Sequence, residues 1–332
     1  MNKMKAIFLN NGPRVPEVYA KEQMDRLTAI ADIKEEVITL EALLASNGKY
    51  ADTEAIFTTW GMPVMTEDQI KEHLPNLKYL FYGAGTVQAF ARPFLDCGVT
   101  VCSAWVANGV PVAEYAHAQI LLANKGFFTV CRKGGGPDLR NARKHYIGNY
   151  NVRVGLLGAG VIGRMVIEKL KANKVEIYVF DPFMSEEKAK ELGVVKSDLE
   201  TIFATCDTIS NHLANKKEIE KILSRELFAS MKPTACFINT GRGAQVDEEG
   251  LIDALKAEPL RSAVLDVTWP EPPAEDSPFF SLPNVYWTPH IAGSSGREVE
   301  RLAQYMIDEY ERVLNGEKLL YSVSYQMLAT MA

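Results

Sequence analysis

Short apolar runs, rich in β-branched and aromatic residues, alternate along the chain with longer stretches of helical periodicity. Strands that alternate with helices in this way form βαβ units, so the pattern predicts an α/β protein with mostly parallel sheets. The predicted strands are Met4–Leu9, Ala55–Thr59, Tyr79–Tyr82, Val99–Cys102, Val152–Leu157, Glu176–Phe180, Thr208–His212, Ala235–Asn239 and Ala263–Asp266.

Helices are predicted between these strands and near the end of the chain. Helical periodicity is clear over Arg164–Ala172 and Glu248–Ala257, and an amphipathic helix is predicted over about 297–314. A long apolar helix is predicted to begin at Pro111, directly after a loop at 107–109.

The length of 332 residues indicates about two domains. We predict one domain over residues 110–289 and a second from residues 1–109 and 290–332, because the two ends of a chain often lie close together. The glycine-rich segment at 134–137 has no flanking strand, so we interpret it as a loop rather than a phosphate cradle.

Composition and charge exclude several classes of protein. An apolar content of 47% and a charged content of 23% are ordinary for a globular chain and exclude a disordered or collagen-like one. The formal net charge of −6 argues against a general nucleic-acid or anionic-membrane binder. No apolar run is long enough to span a membrane, and the five cysteines form no CxxC pair. We therefore expect a reduced, cytoplasmic protein without a metal site.

The clearest local motif is a glycine loop after the predicted strand Val152–Leu157. Gly158, Gly160 and Gly163 have the GxGxxG spacing, and a helix is predicted to follow them. In such a loop the first glycine allows a tight turn, the second lets a pyrophosphate approach the backbone, and the third lets the helix pack on the strand. The motif predicts a dinucleotide-binding site.

Residues around the glycine loop extend this prediction. The first amides of the following helix, at Val161 and Ile162, would face the phosphates with a partial positive charge. Asp181 ends the next predicted strand, 18 residues after Gly163. A carboxylate there accepts hydrogen bonds from a ribose 2′-hydroxyl and repels a 2′-phosphate, so NAD is the expected cofactor. A bare strand–turn–helix with a capping aspartate is the alternative.

Three later segments carry polar groups at the ends of predicted strands. They contain Arg242 between two glycines, then Asp266 and Glu271, and finally His290. Ligands of open α/β sheets bind beyond the carboxyl ends of the strands, which is where these groups would lie. Singly, the arginine could be solvated, the glutamate could be ordinary surface, and the histidine could be packed or capping. Their joint occurrence after a nucleotide loop favours function.

An arginine, a carboxylate and a histidine suit the reduction of a 2-oxo acid. A guanidinium grips a substrate carboxylate with two parallel hydrogen bonds. A histidine gives a proton to the carbonyl oxygen as hydride reaches the carbon, and a neighbouring carboxylate stabilises the imidazolium. The combination predicts an NAD-dependent oxidoreductase with a small 2-oxo or 2-hydroxy acid as substrate.

The sequence resembles the D-isomer-specific 2-hydroxyacid dehydrogenases over nearly its whole length. The resemblance rests on the glycine loop with Asp181, on the segments at 239–243 and 265–272, and on the segment at 288–293. It implies a Rossmann-like cofactor domain inserted in a flavodoxin-like substrate domain. It also implies homodimers that form through the cofactor domain.

The resemblance assigns roles to residues of this chain. Arg242 would bind the substrate carboxylate, His290 would be the acid/base, and Glu271 would be its partner. Cofactor contacts are implied at Thr240 and at Asp266, the latter near the nicotinamide carboxamide. In the first domain, the amides of Ala84 and Gly85 would bind the same carboxylate.

Departures from the family pattern leave alternatives open. Phosphoglycerate-oxidising members carry arginines where this chain has the uncharged Trp60 and Met62, which argues against a phosphorylated substrate. A corepressor-like regulatory protein on the same NAD-binding scaffold would keep every motif. An enzyme that acts on phosphite or formate is a third possibility, because either anion suits Arg242.

Overall fold

The computed structural model describes residues 3–131, 141 and 143–328, and the chain divides into two compact units. The first unit comprises Met1–Asn108 and Ser294–Met331, and the second comprises Gly109–Gly293. The second unit is therefore inserted between the two segments of the first. The glycine-rich segment at 134–137 lies outside the described residues.

All twelve strands in the described part of the chain belong to parallel sheets. They are β1 (Ala6–Leu9), β2 (Val37–Ile38), β3 (Ala55–Thr58), β4 (Tyr79–Tyr82), β5 (Thr100–Ser103), β6 (Tyr150–Leu157), β7 (Lys174–Phe180), β8 (Val195–Lys196), β9 (Thr208–Asn211), β10 (Cys236–Asn239), β11 (Ser262–Leu265) and β12 (Val285–Trp287).

Helices follow most of these strands, as the crossovers of parallel sheets require. They are α1 (Val15–Val18), α2 (Lys21–Ile30), α3 (Leu40–Leu44), α4 (Glu67–His73), α5 (Ala91–Asp96), α6 (Trp105–Asn124), α7 (Phe127–Val130), α8 (Val161–Leu170), α9 (Glu186–Leu192), α10 (Leu199–Thr205), α11 (Arg225–Ser230), α12 (Glu248–Ala257), α13 (Glu300–Asn315) and α14 (Tyr325–Leu328).

The two sheets have the strand orders of two doubly wound folds. The first unit has the order β2–β1–β3–β4–β5, which is flavodoxin-like. The second has the order β12–β11–β10–β9–β6–β7–β8, which contains the Rossmann arrangement. The predicted fold class, a Rossmann-like domain inserted in a flavodoxin-like one, is confirmed.

Burial on both faces explains why the central strands have almost uninterrupted apolar sequences. Every residue of β3, β9, β10 and β11 is buried. In the first unit an aromatic cluster lies between the sheet and α13, with Phe57 stacked on Phe81 at 5.0 Å and both rings edge-on to Tyr310. Such pairs add to the free energy gained from apolar burial.

The nine predicted strands all occur, and three short ones are additional. The additional strands β2, β8 and β12 have only two or three residues each, too few for a period-two pattern. Residues 107–109 were predicted as a loop, and this is wrong because α6 already begins at Trp105. Complete burial of Ala107 favours the helix there, and Pro111 is accommodated inside it.

No helix in the described part of the chain combines the length and the apolar character that a bilayer crossing demands.

Candidate active site

The strand order of the second unit reverses between β6 and β9, which run side by side from Val154 paired with Thr208 to Leu157 paired with Asn211. The connections from these two strands lead to opposite sides of the sheet, which opens a crevice at their carboxyl ends. The predicted dinucleotide loop begins at Gly158, directly after β6. It therefore lies at the position where doubly wound sheets bind nucleotides.

Two glycines of this loop are required by backbone conformation and by close packing within the protein. Gly158 has a φ of +94°, and a Cβ on it would lie 2.8 Å from the carbonyl oxygen of His212. A Cβ on Gly163 would lie 2.1 Å from the carbonyl oxygen of Gly158. The first glycine therefore permits the turn beside β9, and the last permits α8 to pack against the turn.

Gly160 is different, because neither its backbone conformation nor the packing of the described residues requires a glycine at this position. Its φ of −66° suits any residue, and a Cβ on it would meet no described atom within 4 Å. It caps α8 without a side chain, and the first amides of the helix, including those of Val161 and Ile162, have no acceptor among the described residues. This cradle, which a Cβ would fill, fits a pyrophosphate.

Asp181 follows β7 and organises the turn beside the glycine loop. Its two carboxylate oxygens accept hydrogen bonds from the amides of Ala159 and Phe183, both at 2.8 Å. A cavity of about 200 Å³ adjoins it and is also lined by Arg164 and Lys188. Each carboxylate oxygen keeps a second lone pair, so the group can still accept from a ribose hydroxyl.

A buried amide network shapes the loop that carries Arg242. Asn211, at the end of β9, donates to the side-chain oxygens of Asn239 at 3.0 Å and Gln245 at 2.7 Å. Asn239 in turn accepts from the amide of Gly241 and donates to the carbonyl oxygen of Arg242. Because all three amide side chains are buried and hydrogen-bonded, the network fixes the loop firmly.

The glycines on either side of Arg242 are needed for close approach. A Cβ on Gly241 would lie 2.8 Å from the Asn211 side-chain nitrogen, and one on Gly243 would lie 2.0 Å from the carbonyl carbon of Thr268. The loop after β10 therefore rests directly on the loop after β11. This contact argues against the interpretation of Arg242 as a freely solvated side chain.

Arg242 is a half-buried cation whose guanidinium has few hydrogen-bond partners among the described residues. One of its Nη atoms donates to the carbonyl oxygen of Gly241 at 2.7 Å, and no carboxylate of the described residues pairs with it. Burial lowers the pKa of Arg242 from its ordinary value, while the negative charge of Glu271 acts in the opposite direction. A guanidinium stays protonated at neutral pH, so this group is suited to bind an anion.

Asp266 is buried at the end of β11 and holds the loop after β12. Its carboxylate accepts hydrogen bonds from the Thr288 hydroxyl at 2.7 Å and from the amides of Ile291 at 2.8 Å and Ala292 at 2.9 Å. The amide of His290 donates to the Asp266 carbonyl oxygen at 3.0 Å. Protein donors thus occupy both carboxylate oxygens. Asp266 holds the loop after β12 in place, a structural role that differs from the cofactor contact implied by the resemblance.

His290 and Glu271 form a pair at the surface of the second unit. The Nδ1 atom of His290 lies 2.6 Å from a carboxylate oxygen of Glu271, and the histidine side chain is 51% exposed. The backbone of His290 is left-handed, with a φ of +54°. This conformation costs a non-glycine residue about 1–2 kcal/mol, and the hydrogen bonds to Asp266 hold it. Nε2 has no hydrogen-bond partner among the residues that the structure describes.

His212 directly follows β9 and Thr240 directly follows β10, on one side of the crevice. The Nε2 atom of His212 is 3.0 Å from the Ser210 hydroxyl, and its Nδ1 atom is 3.2 Å from the Thr240 hydroxyl. Burial lowers the pKa of His212 to about 4. The ring is therefore neutral at pH 7, where it can accept from one hydroxyl and donate to the other.

Ala84 and Gly85, predicted to bind the substrate carboxylate, lie in the first unit after β4. The amide of Ala84 donates to the Tyr82 carbonyl oxygen at 2.8 Å and is not available to a ligand. The Gly85 amide has no acceptor among the described residues. The Ser103 hydroxyl donates to the carbonyl oxygens of this loop and holds its shape.

The second unit thus brings Arg242, Glu271, His290 and Asp266 to one edge of its sheet, together with the glycine loop. The sequence analysis did not predict roles for Asn211 and Gln245. Their hydrogen-bond partners are distant along the chain, and a local sequence pattern does not indicate them. Among the described residues no group of three or more histidine, cysteine, aspartate or glutamate side chains could hold a metal ion.

Comparison with known proteins agrees with this geometry. Residues 129–292 match the NAD-binding domain of the D-isomer specific 2-hydroxyacid dehydrogenases. The D-3-phosphoglycerate dehydrogenase of Methanocaldococcus jannaschii is 32% identical over 287 residues, which are 84% of this chain and 53% of that protein. The enzyme of the same name from Archaeoglobus fulgidus is 35% identical over 201 residues, which are 60% and 38% of the two chains.

A solved structure extends the likeness to nearly the whole chain. The 2-hydroxyacid dehydrogenase from Ketogulonicigenium vulgare Y25 is 25% identical, with a TM-score of 0.70, over 98% of this chain and 99% of that one. By contrast, the chain spans about half or less of the length of the two curated relatives.

The family match, together with the fold and the glycine loop, defines a protein with a nicotinamide dinucleotide cofactor. Residues 129–292 of this chain belong to the NAD-binding domain family of the D-isomer-specific 2-hydroxyacid dehydrogenases, which confirms the resemblance found in the sequence.

The substitution Gly160→Ala tests the phosphate cradle. We expect the dissociation constant for the dinucleotide to rise at least about tenfold, because the new methyl group occupies the space of the pyrophosphate. Calorimetric titration with NADH measures the affinity, and urea unfolding measures stability, which should barely change. Gly163→Ala is the matched control, since its methyl group strikes the Gly158 carbonyl and should destabilise the fold. Normal cofactor affinity in Gly160→Ala would contradict the assignment.

The low pKa of His212 predicts a dependence of stability on pH. The unfolded chain protonates this histidine near pH 6.5, while the folded chain does so only near pH 4, so stability falls as the pH drops between these values. Between pH 7.5 and 5 the wild type should lose about 2 kcal/mol more unfolding free energy than His212→Asn. Urea titrations of both proteins at the two pH values provide the test, and parallel losses would refute it.

Proposed function

We propose that the chain is an NAD-dependent D-2-hydroxyacid dehydrogenase that interconverts a small 2-oxo acid and the corresponding 2-hydroxy acid. The observation that carries this proposal is the half-buried, unpaired Arg242 at the same sheet edge as the Glu271–His290 pair. Carbonyl reduction of a 2-oxo acid needs a cation for the carboxylate, a proton for the carbonyl oxygen and a hydride for the carbonyl carbon. In this proposal Arg242, His290 and the bound dinucleotide supply them in that order.

Arg242 binds the carboxylate of the substrate in this proposal. Its planar fork offers two parallel hydrogen bonds, which orient the acid as well as attract it. Partial burial strengthens the attraction, because less water competes for the guanidinium. The contacts that the resemblance implies at Ala84 and Gly85 stay predictions, and the hydrogen-bonded amide of Ala84 is the weaker candidate of the two.

His290 carries the proton. With Nδ1 directed at Glu271, the protonated ring presents its Nε2–H to the substrate and gives that proton to the carbonyl oxygen during reduction. When bound, the reduced nicotinamide supplies the hydride that the carbonyl carbon receives. In the reverse direction neutral His290 takes the hydroxyl proton at Nε2, and Glu271 stabilises the imidazolium that forms.

The substrate itself is not carried over from the relatives. The two curated relatives are named D-3-phosphoglycerate dehydrogenase, yet this chain covers only 53% and 38% of them. We propose the substrate class, a small 2-oxo acid, on the chemistry of Arg242 and His290 alone. The homodimer and the cytoplasmic location stay predictions from the sequence.

The substitution His290→Ala tests the proton transfer. We expect kcat for reduction of a 2-oxo acid to fall at least about 100-fold, because the carbonyl oxygen loses its acid. Stopped-flow measurement with pyruvate, glyoxylate and hydroxypyruvate gives kcat, and NADH titration should show wild-type cofactor affinity. As a second arm, Arg242→Lys should lower kcat/KM through loss of the two-pronged grip. Undiminished turnover in His290→Ala would exclude the mechanism.

The substitution Asp181→Asn tests the preference for NAD over NADP. The amide keeps one of the two side-chain acceptors of the turn and removes the charge that repels a 2′-phosphate, while Arg164 and Lys188 remain in the cavity. The ratio of kcat/KM for NADPH to that for NADH should rise at least about tenfold. Asp198→Asn, which changes only a helix cap of the same unit, is the matched control. An unaltered ratio would rule out a ribose contact at Asp181.

A further inference from the structure

Helix α6 carries a tyrosine whose hydroxyl reaches the loop that holds His290. The Tyr115 hydroxyl oxygen lies 3.1 Å from the hydroxyl oxygen of Thr288, which is 173 positions further along the chain. Thr288 directly follows β12 and stands two residues before His290. Both residues belong to the second unit. Tyr115 therefore joins the helix to the first residue of the segment 288–292, here called the His290 loop.

The direction of this hydrogen bond follows from the groups around it. The Asp266 carboxylate accepts from the backbone amides of Ile291 and Ala292, which can only donate, and it lies 2.7 Å from the Thr288 hydroxyl. The single hydroxyl hydrogen of Thr288 is therefore directed at Asp266. Because that hydrogen is committed, Tyr115 must be the donor to Thr288. A one-way chain of donors thus runs from α6 through Thr288 to the buried carboxylate.

The Tyr115 hydroxyl is kept available as a donor within α6. Burial raises the pKa of Tyr115 from its ordinary value, while hydrogen bonding with Thr288 and Gln119 acts in the opposite direction. The phenol is therefore protonated at neutral pH. Gln119 lies one turn further on the same face of the helix. Its Oε1 atom is buried without a partner among the described residues, so its amide nitrogen makes the contact to Tyr115.

The His290 loop depends on bonds of this kind because its backbone is strained. His290 has a φ of +54°, in the left-handed region. Its amide donates to the carbonyl oxygens of Asp266 and Thr288, both at 3.0 Å. Thr288 thus contacts Asp266 through its side chain and His290 through its backbone. A hydrogen bond that fixes the Thr288 side chain also fixes the segment from which the imidazole projects.

We propose that Tyr115 is a positioning residue, which acts through Thr288 and Asp266 to hold His290 in the geometry that transfers the proton. The proposal rests on the function proposed above, because it concerns the acid/base of that reaction. Tyr115 itself touches no substrate in this proposal. Its hydroxyl contributes to turnover and not to cofactor affinity.

A double-mutant cycle tests whether Tyr115 acts through Thr288. Tyr115→Phe keeps the ring, and it should lower kcat about 5- to 20-fold for the best substrate among pyruvate, glyoxylate and hydroxypyruvate. The Kd for NADH should stay within about twofold of the wild-type value. Thr288→Val should lower kcat further, because Asp266 also loses a donor. Tyr115→Phe added to Thr288→Val should change kcat less than about twofold, since the connecting oxygen is already absent.

Tyr286→Phe is the matched control for the loss of a tyrosine hydroxyl. Tyr286 lies in β12 of the same unit, and its hydroxyl donates to the carbonyl oxygen of Phe128. Its removal therefore leaves the chain from Tyr115 to Asp266 intact. The kcat of this variant should equal that of the wild type.

NMR of isotopically labelled histidine side chains gives a readout that does not depend on turnover. The signal of His290 is identified by its absence from the spectrum of His290→Ala. We expect Tyr115→Phe and Thr288→Val to move this signal in the same direction. Tyr286→Phe should leave it in place, and the signal of His73, in the first unit, serves as an internal reference.

The outcomes separate the role of Tyr115 from the dehydrogenase proposal. An unchanged kcat in Tyr115→Phe would overturn the positioning role and leave the dehydrogenase proposal standing. Equal losses of kcat from Tyr115→Phe with and without the Thr288 hydroxyl would do the same. If the wild type reduces no 2-oxo acid, the dehydrogenase proposal fails, and the NMR signal decides the role of Tyr115. An unmoved His290 signal in Tyr115→Phe would then overturn that role as well.

Discussion

The buried carboxylate of Asp266 is the constraint on which the proposed chemistry depends. It joins the ends of β11 and β12 by accepting from Thr288, Ile291 and Ala292. A charge buried in this way is stable only while its donors are present, so the loop has one geometry. That geometry holds His290 in a left-handed backbone conformation and brings Nδ1 to Glu271.

The two charged groups Asp266 and Arg242 differ in how many hydrogen-bond partners the described residues give them. Asp266 has three donors for two oxygens, whereas Arg242 has a carbonyl oxygen and the distant influence of Glu271. A cation that is partly desolvated and unpaired is costly to the folded protein. Proteins retain such a desolvated charge where a ligand of opposite charge compensates its cost, which agrees with an anion-binding role for Arg242.

Periodicity in the sequence predicted parallel sheets and the nine longer strands, since both depend on local apolar patterns. It could not predict β2, β8 and β12, whose few residues are extended only because a neighbour pairs with them. Motifs predicted which residues stand at strand ends. The bonds of Asp266, the Asn211 network and the contact of Tyr115 with Thr288 join distant segments, and no local pattern encodes them.

The fit of Gly243 against Thr268 has a consequence for how the proposed site could diverge. Any side chain at 243 would displace Thr268 and with it the segment that leads to Glu271, so the loop of Arg242 and the loop of Glu271 are constrained to shift together. A substitution that moves the backbone of one loop therefore disturbs the other. Exchanges of side chains that leave both backbones in place are the more accessible route to new reactant preferences.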